Sequence, residues 1–173
     1  MTNEQGTKPS GSGGLKEFFA RPQVRSAALY LGTVLIGMLI VGTLFDLRKS
    51  VRGYPYDYLG DSLFYHLMVK SVIDHGWYLT NPSLGAPGVL DMRDVPSSDN
   101  NFHMLLIKLL ALRTQHYPGV LNNFFLLTFP LTMIATLYAL RRLGISWLVA
   151  IWTTLLFTML PYHFTRGEQH LFL

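Results

Sequence analysis

Acidic side chains are concentrated in one polar interval of this chain, residues 46–119, between long apolar stretches. Seven of the ten acidic residues lie there: Asp46, Asp57, Asp61, Asp74, Asp91, Asp94 and Asp99. A carboxylate can accept a proton from a hydroxyl group as a general base, and it can hold a divalent cation that neutralises a departing phosphate. We therefore expect any chemistry of this chain to take place in this interval.

The turn Tyr58–Ser62 is the focus of the interval. Asp61 follows Gly60 and opens a predicted helix, which makes it the first candidate for a general base. Asp57 lies four residues earlier and is the second candidate. Each has a structural alternative, because Asp at a helix start caps backbone N–H groups and Asp in a turn is often only solvated.

The other acids and the histidines of the interval favour structural roles. Asp91, Asp94 and Asp99 surround a proline turn and are typical of turn and cap residues. His66 and His103 lack the close spacing of metal-binding histidine pairs, which indicates surface or core positions.

Aromatic residues and a second polar cluster extend the candidate set. Trp77 is typical of a membrane-interface aromatic belt, with stacking on a sugar ring as the alternative. The last long apolar stretch is followed by Arg166, Glu168 and His170. Polar groups there are costly if they still lie in the hydrocarbon region, and such groups often mark functional sites. The forked guanidinium of Arg166 suits a phosphate group. Alternatively, the cluster is a helix end whose long side chains reach water.

Composition identifies the chain as a membrane protein. Half of its residues are hydrophobic and only 14% are charged, against roughly 25% in soluble domains. There is no cysteine, so disulfides and thiolate metal sites are excluded. The basic residues are dispersed and several flank apolar spans, which argues against nucleic-acid binding.

The predicted fold is an all-α polytopic membrane protein. Residues 26–45 carry no charge and are long enough to cross a bilayer. Two further transmembrane helices are predicted at 120–140 and 145–163. Gly32, Gly37 and Gly42 are interpreted as ordinary membrane-helix glycines, since their five-residue spacing drifts around the helix.

Charge placement predicts the orientation. The turn at 141–144 holds Arg141 and Arg142, which favours the cytoplasm. Residues 1–25 would then be a cytoplasmic tail, disordered and then interfacial, while 46–119 and 164–173 would lie outside, 164–173 as the start of a further element. The three basic residues at 48–52 oppose this orientation. The expected location is a bacterial inner (plasma) membrane.

Two amphipathic helices are predicted within the outer loop, near 61–77 and 99–115. The apolar stripe of the first consists of Leu63, Phe64, Leu67, Met68, Val72 and Ile73, and Gly76 can end that helix. Ser98 or Asp99 would cap the second, which is too short to span a bilayer. Both are expected to lie parallel to the membrane.

This arrangement resembles the start of the GT-C superfamily of membrane glycosyltransferases. Three sets of residues carry the resemblance: Asp57 with Gly60-Asp61 after the first span, the Gly76-Trp77-Tyr78 and Ser98-Asp99-Asn100 segments, and Pro161 to His170 after the third. The resemblance implies a lipid-phosphate-linked sugar donor and an acidic residue of the first outer loop at the catalytic centre.

The resemblance also implies roles for individual residues. Asp61, Glu168 and His170 would be ligands of a divalent cation, Mg²⁺ or Mn²⁺. Arg166, Tyr162, His163 and Trp77 would contact the substrate. In the oligosaccharyltransferase branch the later segment carries several acids, whereas here Glu168 stands alone. The chain covers only the beginning of such an enzyme, so it is expected to be an N-terminal portion, inactive without further helices or subunits.

A non-enzymatic interpretation uses the same topology. A segment of a lipid or sugar translocase, or a subunit whose outer loop docks a partner, needs these spans and helices but no reactive carboxylate. No phosphate-binding glycine loop or nucleophile motif is present in the sequence.

Overall fold

The computed structural model describes residues 21–47, 53–93 and 101–170, with the side chains of Arg166, Gln169 and His170 excepted. Its helices are α1 (Pro22–Leu44), α2 (Asp61–His75), α3 (Asn101–Ala111), α4 (Tyr117–Arg142), α5 (Trp147–Thr158) and α6 (Pro161–Arg166). Strands β1 (Thr80–Asn81) and β2 (Leu90–Asp91) lie between α2 and α3, and a 3₁₀ turn, Gly167–His170, follows α6. The expected tail helix before residue 21 and the caps Ser98 and Asp99 lie outside these residues.

Three helical segments are long and apolar enough to cross a membrane, which confirms the prediction of three spans at that level. They are Pro22–Leu44, Tyr117–Arg142 and Trp147–Thr165. Pro22 occupies the first turn of α1, where a proline lacks no needed hydrogen bond. The helix therefore starts at Pro22, earlier than residue 26.

The third segment is not one continuous helix. Its regular part ends at Thr158, and Pro161 starts the short helix α6. Proline fixes its own backbone and disfavours helical geometry in the residue before it, so Leu160 is extended, with φ −57° and ψ 137°. The predicted helix 145–163 is therefore shorter, and the chain turns after it into α6 and the 3₁₀ turn.

Aromatic contacts show which ends of the three long helices meet. Phe45, at the end of α1, packs on Phe125 of α4 and Phe164 of α6. Tyr30, near the start of α1, makes an edge contact with Trp147 at the start of α5. The loop after α1 and the segment after α5 therefore lie at the same end of the helix bundle.

The centre of the bundle is closely packed. Gly37 of α1 is buried, and a Cβ added there would overlap the sulfur of Met133 on α4. Gly32 has no atom near its missing Cβ, and Gly42 has only a loose contact. Gly37 is therefore a site of close helix approach, whereas the interpretation as an ordinary membrane glycine holds for Gly32.

Helix α2 is bounded by two glycines. Gly76 adopts a left-handed conformation, with φ +84°, and its N–H bonds to the carbonyl of Val72, which confirms it as the helix stop. The N-cap is Gly60, with φ +53°, and Asp61 is the first helical residue. The alternative that Asp61 is the N-cap is therefore wrong, because the cap position is one residue earlier.

The buried face of α2 differs from the predicted stripe. Leu63 is 52% exposed. The buried residues are Ser62, Tyr65, His66, Met68, Val69, Ser71 and Val72. The contacts of α2 with α3, α4 and the 3₁₀ turn select this face, so Ser62, His66 and Ser71, which are not part of the predicted apolar stripe, are buried.

Between α2 and α3 the chain forms a minimal antiparallel hairpin. Thr80 pairs with Asp91, and Asn81 pairs with Leu90. The side chain of Asn81 donates to Ser71 of α2 over 2.8 Å, which fixes the hairpin to the helix. The segment between the two helices of the loop is therefore partly ordered by strand pairing.

Candidate functional site

Glu168 is a buried carboxylate at the end of the bundle where the loop lies. It belongs to the 3₁₀ turn after α6 and is 1% exposed. Its Oε2 accepts a hydrogen bond from the backbone N–H of Asp57 over 3.2 Å and lies 3.6 Å from Nε2 of His66. The loop after the first span and the segment after the third therefore meet at this side chain.

His66 is the partner of Glu168 on α2. It is 5% exposed, and its Nε2 lies 3.3 Å from the carbonyl oxygen of Asp57. Both neighbours of Nε2 are acceptors, so we assign the ring proton to Nε2, which donates to the carbonyl. In the neutral tautomer with this proton, Nδ1 is an acceptor.

Two tyrosine rings pack against His66. Tyr58 stacks on His66 with ring centroids 5.4 Å apart, and Tyr117 meets the same ring edge-on at 5.7 Å. The two hydroxyl oxygens are 3.1 Å apart. Their hydrogen bond, followed by burial, raises the pKa of Tyr58, so the Tyr58 phenol stays protonated at physiological pH.

The loop that carries Asp57 is fixed to α4 by one buried amide. Asn122 accepts from the N–H of Tyr56 over 3.3 Å and donates to the carbonyl of Tyr54 over 2.8 Å. The side-chain amide thus bonds to one backbone N–H and one backbone carbonyl of the same loop, as a neighbouring backbone segment would. Asn122 therefore sets the position from which Asp57 reaches Glu168.

Asp57 and Asp61 occupy different environments within this turn. One carboxylate oxygen of Asp57 accepts from the N–H of Leu59 over 2.8 Å, the geometry of an Asx turn. Asp61 is exposed at the start of α2. Tyr65, one turn later, has its pKa raised by burial and then by the negative charge of Asp61.

The residues expected to contact substrate are distributed over the bundle. Trp77 is half-buried against the α2–α3 core, with Nζ of Lys108 5.7 Å from its ring centroid. His163 stacks on Phe129 at 4.1 Å and bonds to Thr128 Oγ1 over 2.9 Å. Tyr162 is 64% exposed. Trp77 and His163 are therefore packed against other side chains, whereas Tyr162 is exposed.

Of the three expected cation ligands, Glu168 is the one whose side chain lies in the buried site. Asp61 is exposed, and for His170 only the backbone is described. Within residues 21–47, 53–93 and 101–170, no three side chains of His, Asp or Glu converge as a metal site would require. The described side chains thus supply Glu168 as one oxygen ligand but no complete set.

Sequence reasoning missed His66 as part of this site. Its sequence neighbours carry no motif, and its partner Glu168 lies on a different element. One signal was available, since Ser62 and His66 are four residues apart and share a helix face. Both are buried, and both bond to the carbonyl of Asp57.

The site leaves two buried polar atoms without a hydrogen bond. Among the described residues, Nδ1 of His66 and Oε1 of Glu168 have no partner. Buried polar atoms are normally paired, and an exception calls for an explanation.

Comparison of the chain with protein-family models, curated proteins and solved structures finds no match.

Proposed function

We propose that this chain is the N-terminal part of an integral-membrane glycosyltransferase that uses a lipid-phosphate-linked sugar donor at the extracytoplasmic face of a bacterial inner membrane. One observation carries the proposal. Glu168, after the third span, accepts a hydrogen bond from Asp57, in the loop after the first span. The two segments that carry the resemblance to such enzymes are therefore in direct contact.

The polar side chains of these two segments support transfer of a sugar. Asp61 is the first residue of the helix that also carries His66, and its carboxylate is exposed. There it can take the proton of an acceptor hydroxyl or bind a divalent cation that neutralises the leaving phosphate. Arg166 adds a phosphate-binding group two residues before Glu168.

The exposed apolar face of α3 also supports the proposal. Its exposed residues Phe102, Leu105 and Leu109 lie on one face, and Met104 and Ile107 are buried on the other. The buried face joins Val120, Leu121 and Phe124, in the first turns of α4. Because α4 is 26 residues long, roughly 39 Å at ~1.5 Å per residue, its first turns pass the edge of a ~30 Å hydrocarbon core. The exposed apolar face of α3 would then lie in the lipid interface, where the donor's phosphate is found.

The extracytoplasmic position of this end rests on Arg141 and Arg142 at the opposite end. Arg141 donates to the carbonyl of Ile145 and lies over the ring of Trp147 at 4.3 Å, so the positive turn is held close to α5. A cysteine at the exposed position Ser83 should react with an impermeant thiol reagent in intact cells. Reaction only after lysis would reverse the orientation.

Complementation in living cells tests the function. In a strain that lacks the gene, the full-length protein should restore one cell-surface glycan, whereas Asp61→Asn and Glu168→Gln should not. Asp74→Asn is the matched control, because Asp74 is an exposed acid on the same helix that pairs with Lys70, one turn earlier, at 2.7 Å.

Whether the variants restore the glycan distinguishes a transferase from a subunit that docks a partner. Loss with Asp61→Asn and Glu168→Gln, at normal membrane levels of both variants, supports the transferase. An unaltered glycan in the deletion strain, or full restoration by both variants, would contradict it and favour a subunit that docks a partner.

A further inference from the structure

The unpaired atoms of His66 and Glu168 indicate what kind of ligand they can bind. Oε2 of Glu168 is used by the N–H of Asp57, and Nε2 of His66 is used by the carbonyl of Asp57. What remains is one carboxylate oxygen and one imidazole nitrogen, both buried. The carboxylate oxygen accepts hydrogen bonds, so a ligand that satisfies Oε1 of Glu168 must be a hydrogen-bond donor.

The surroundings of the two atoms narrow the ligand class. The rings of Tyr58 and Tyr117 form the wall over His66, and aromatic rings pack favourably on the apolar C–H face of a sugar while their hydroxyls bond to its edge. A sugar hydroxyl is also a neutral donor, so a buried site can take it without desolvating a further charge. The choice of a sugar over other hydroxyl compounds rests on the proposed function.

Tyr58 controls access to this position. It is 48% exposed, whereas His66 beneath it is 5% exposed. Its ring is held by stacking on His66 and by the hydrogen bond between its hydroxyl and that of Tyr117. A ligand that approaches His66 from the side of this wall meets the Tyr58 ring first.

We propose that His66 and Glu168 form a covered binding site for a sugar hydroxyl, with Tyr58 as the cover that moves when the sugar enters. The hydroxyl donates to Oε1 of Glu168, and His66 holds the carboxylate in place through the shared Asp57 backbone. This places Glu168 in contact with the substrate in addition to the exposed carboxylate of Asp61.

Chemical modification of Glu168 tests the cover without any transfer reaction. The full-length protein in lipid nanodiscs would be treated with a water-soluble carbodiimide and glycine methyl ester, which converts an accessible carboxyl group to an amide. Mass spectrometry of peptides then gives the modification rate of Glu168 relative to exposed Asp74. Tyr58→Ala should raise this ratio by roughly tenfold or more, as expected when a local opening limits access.

Two further variants test whether the Tyr58 ring itself limits the modification of Glu168. Tyr58→Phe retains the stacked ring and loses the hydroxyl bond, so its ratio should lie between those of the wild type and Tyr58→Ala. Tyr54→Ala is the matched control, because Tyr54 is a 70% exposed tyrosine on the same loop, and its ratio should equal that of the wild type. Equal ratios in all four proteins would overturn the cover.

Competition by ligands tests the site itself. In the Tyr58→Ala protein, methyl α-mannoside or methyl β-N-acetylglucosaminide should slow modification of Glu168 and leave Asp74 unchanged. No protection by either sugar, or protection by methylguanidine alone, would overturn the sugar site, and the second result would point to a cationic partner. Because no glycan is formed in this experiment, its failure leaves the complementation result intact.

Discussion

The carboxylate of Glu168 accepts a hydrogen bond from the backbone N–H of Asp57 across 111 residues of sequence. This contact connects the 3₁₀ turn after α6 to the loop before α2. A bond between such distant segments forms only when the three long helices are assembled, because loop closure over this length has no local support. Integrity of the bundle and integrity of the site are therefore linked.

Replacement of Glu168 separates a functional role from a structural one. Glu168→Gln keeps an oxygen for the N–H of Asp57 and removes a buried charge that has an unpaired oxygen. We expect the free energy of unfolding to stay equal or rise by about 1 kcal/mol, as is common where function holds a group in an unfavourable setting. Thermal unfolding in detergent measures this. A decrease above about 1 kcal/mol would indicate that Glu168 serves mainly to hold the fold together.

Asn122 offers a matched pair of substitutions. Asn122→Ala removes two hydrogen bonds to the loop, one to Tyr56 and one to Tyr54, and leaves a part-buried N–H unpaired. It should lower the free energy of unfolding by about 2 kcal/mol. Asn123→Ala, at the exposed neighbouring position, should change it by less than about 0.5 kcal/mol. Equal effects of the two changes would refute the role of Asn122.

Close packing of α1 on α4 predicts a difference between two glycines. Gly37→Leu places a side chain where the sulfur of Met133 lies, whereas Gly32→Leu meets no atom near its Cβ. The first should destabilise the bundle by about 1–3 kcal/mol, the usual cost of overpacking, and the second should be tolerated. Unfolding curves in the same detergent would reveal the difference, and equal curves would rule out the close approach at Gly37.

Burial of His103 predicts a dependence of stability on pH. Burial lowers its pKa below the ordinary 6.5, and its ring contacts Phe124 edge-on at 6.0 Å. The unfolded chain therefore binds a proton at a higher pH than the folded one, and stability falls as pH decreases from about 6.5 towards the folded pKa. His103→Phe keeps an aromatic ring and cannot titrate.

The measurement for His103 is the melting temperature of both proteins across that pH range. The wild type should lose more stability on acidification than His103→Phe, with the difference appearing below about pH 6.5. Parallel curves for the two proteins would show that His103 makes no such contribution.

The spans were predictable because a bilayer demands long uncharged helices, and residues 26–45 and 120–140 contain little else. The stop at Gly76 was predictable for a local reason, since glycine adopts the left-handed conformation without strain. The break before Pro161 carried a sequence signal, because proline at that point disfavours a continuous helix, but the length of the apolar run outweighed it in the prediction.

The buried face of α2 was not predictable in the same way. Periodicity selected Leu63 for the apolar stripe and left the position of His66 open, whereas contacts with α3, α4 and the 3₁₀ turn bury His66 and leave Leu63 exposed. A pair such as His66 and Glu168 is set by tertiary packing, which no local pattern in one sequence encodes. Asp57 and Glu168 were singled out by residue type, while their contact became visible only in the fold.

The most direct test of the central claim is cleavage of the bond between sugar and lipid phosphate. The full-length protein in nanodiscs would receive radiolabelled lipid-linked sugars extracted from its own cells, together with an envelope extract of the deletion strain as the source of acceptor hydroxyls, and sugar-free lipid phosphate would be measured. The wild type and Asp74→Asn should release it at equal rates. Asp61→Asn and Glu168→Gln should each be slower by roughly 100-fold or more, the range for loss of an acid–base group. A folded wild-type protein that releases none, or two variants that release it at the wild-type rate, would contradict the proposed transferase.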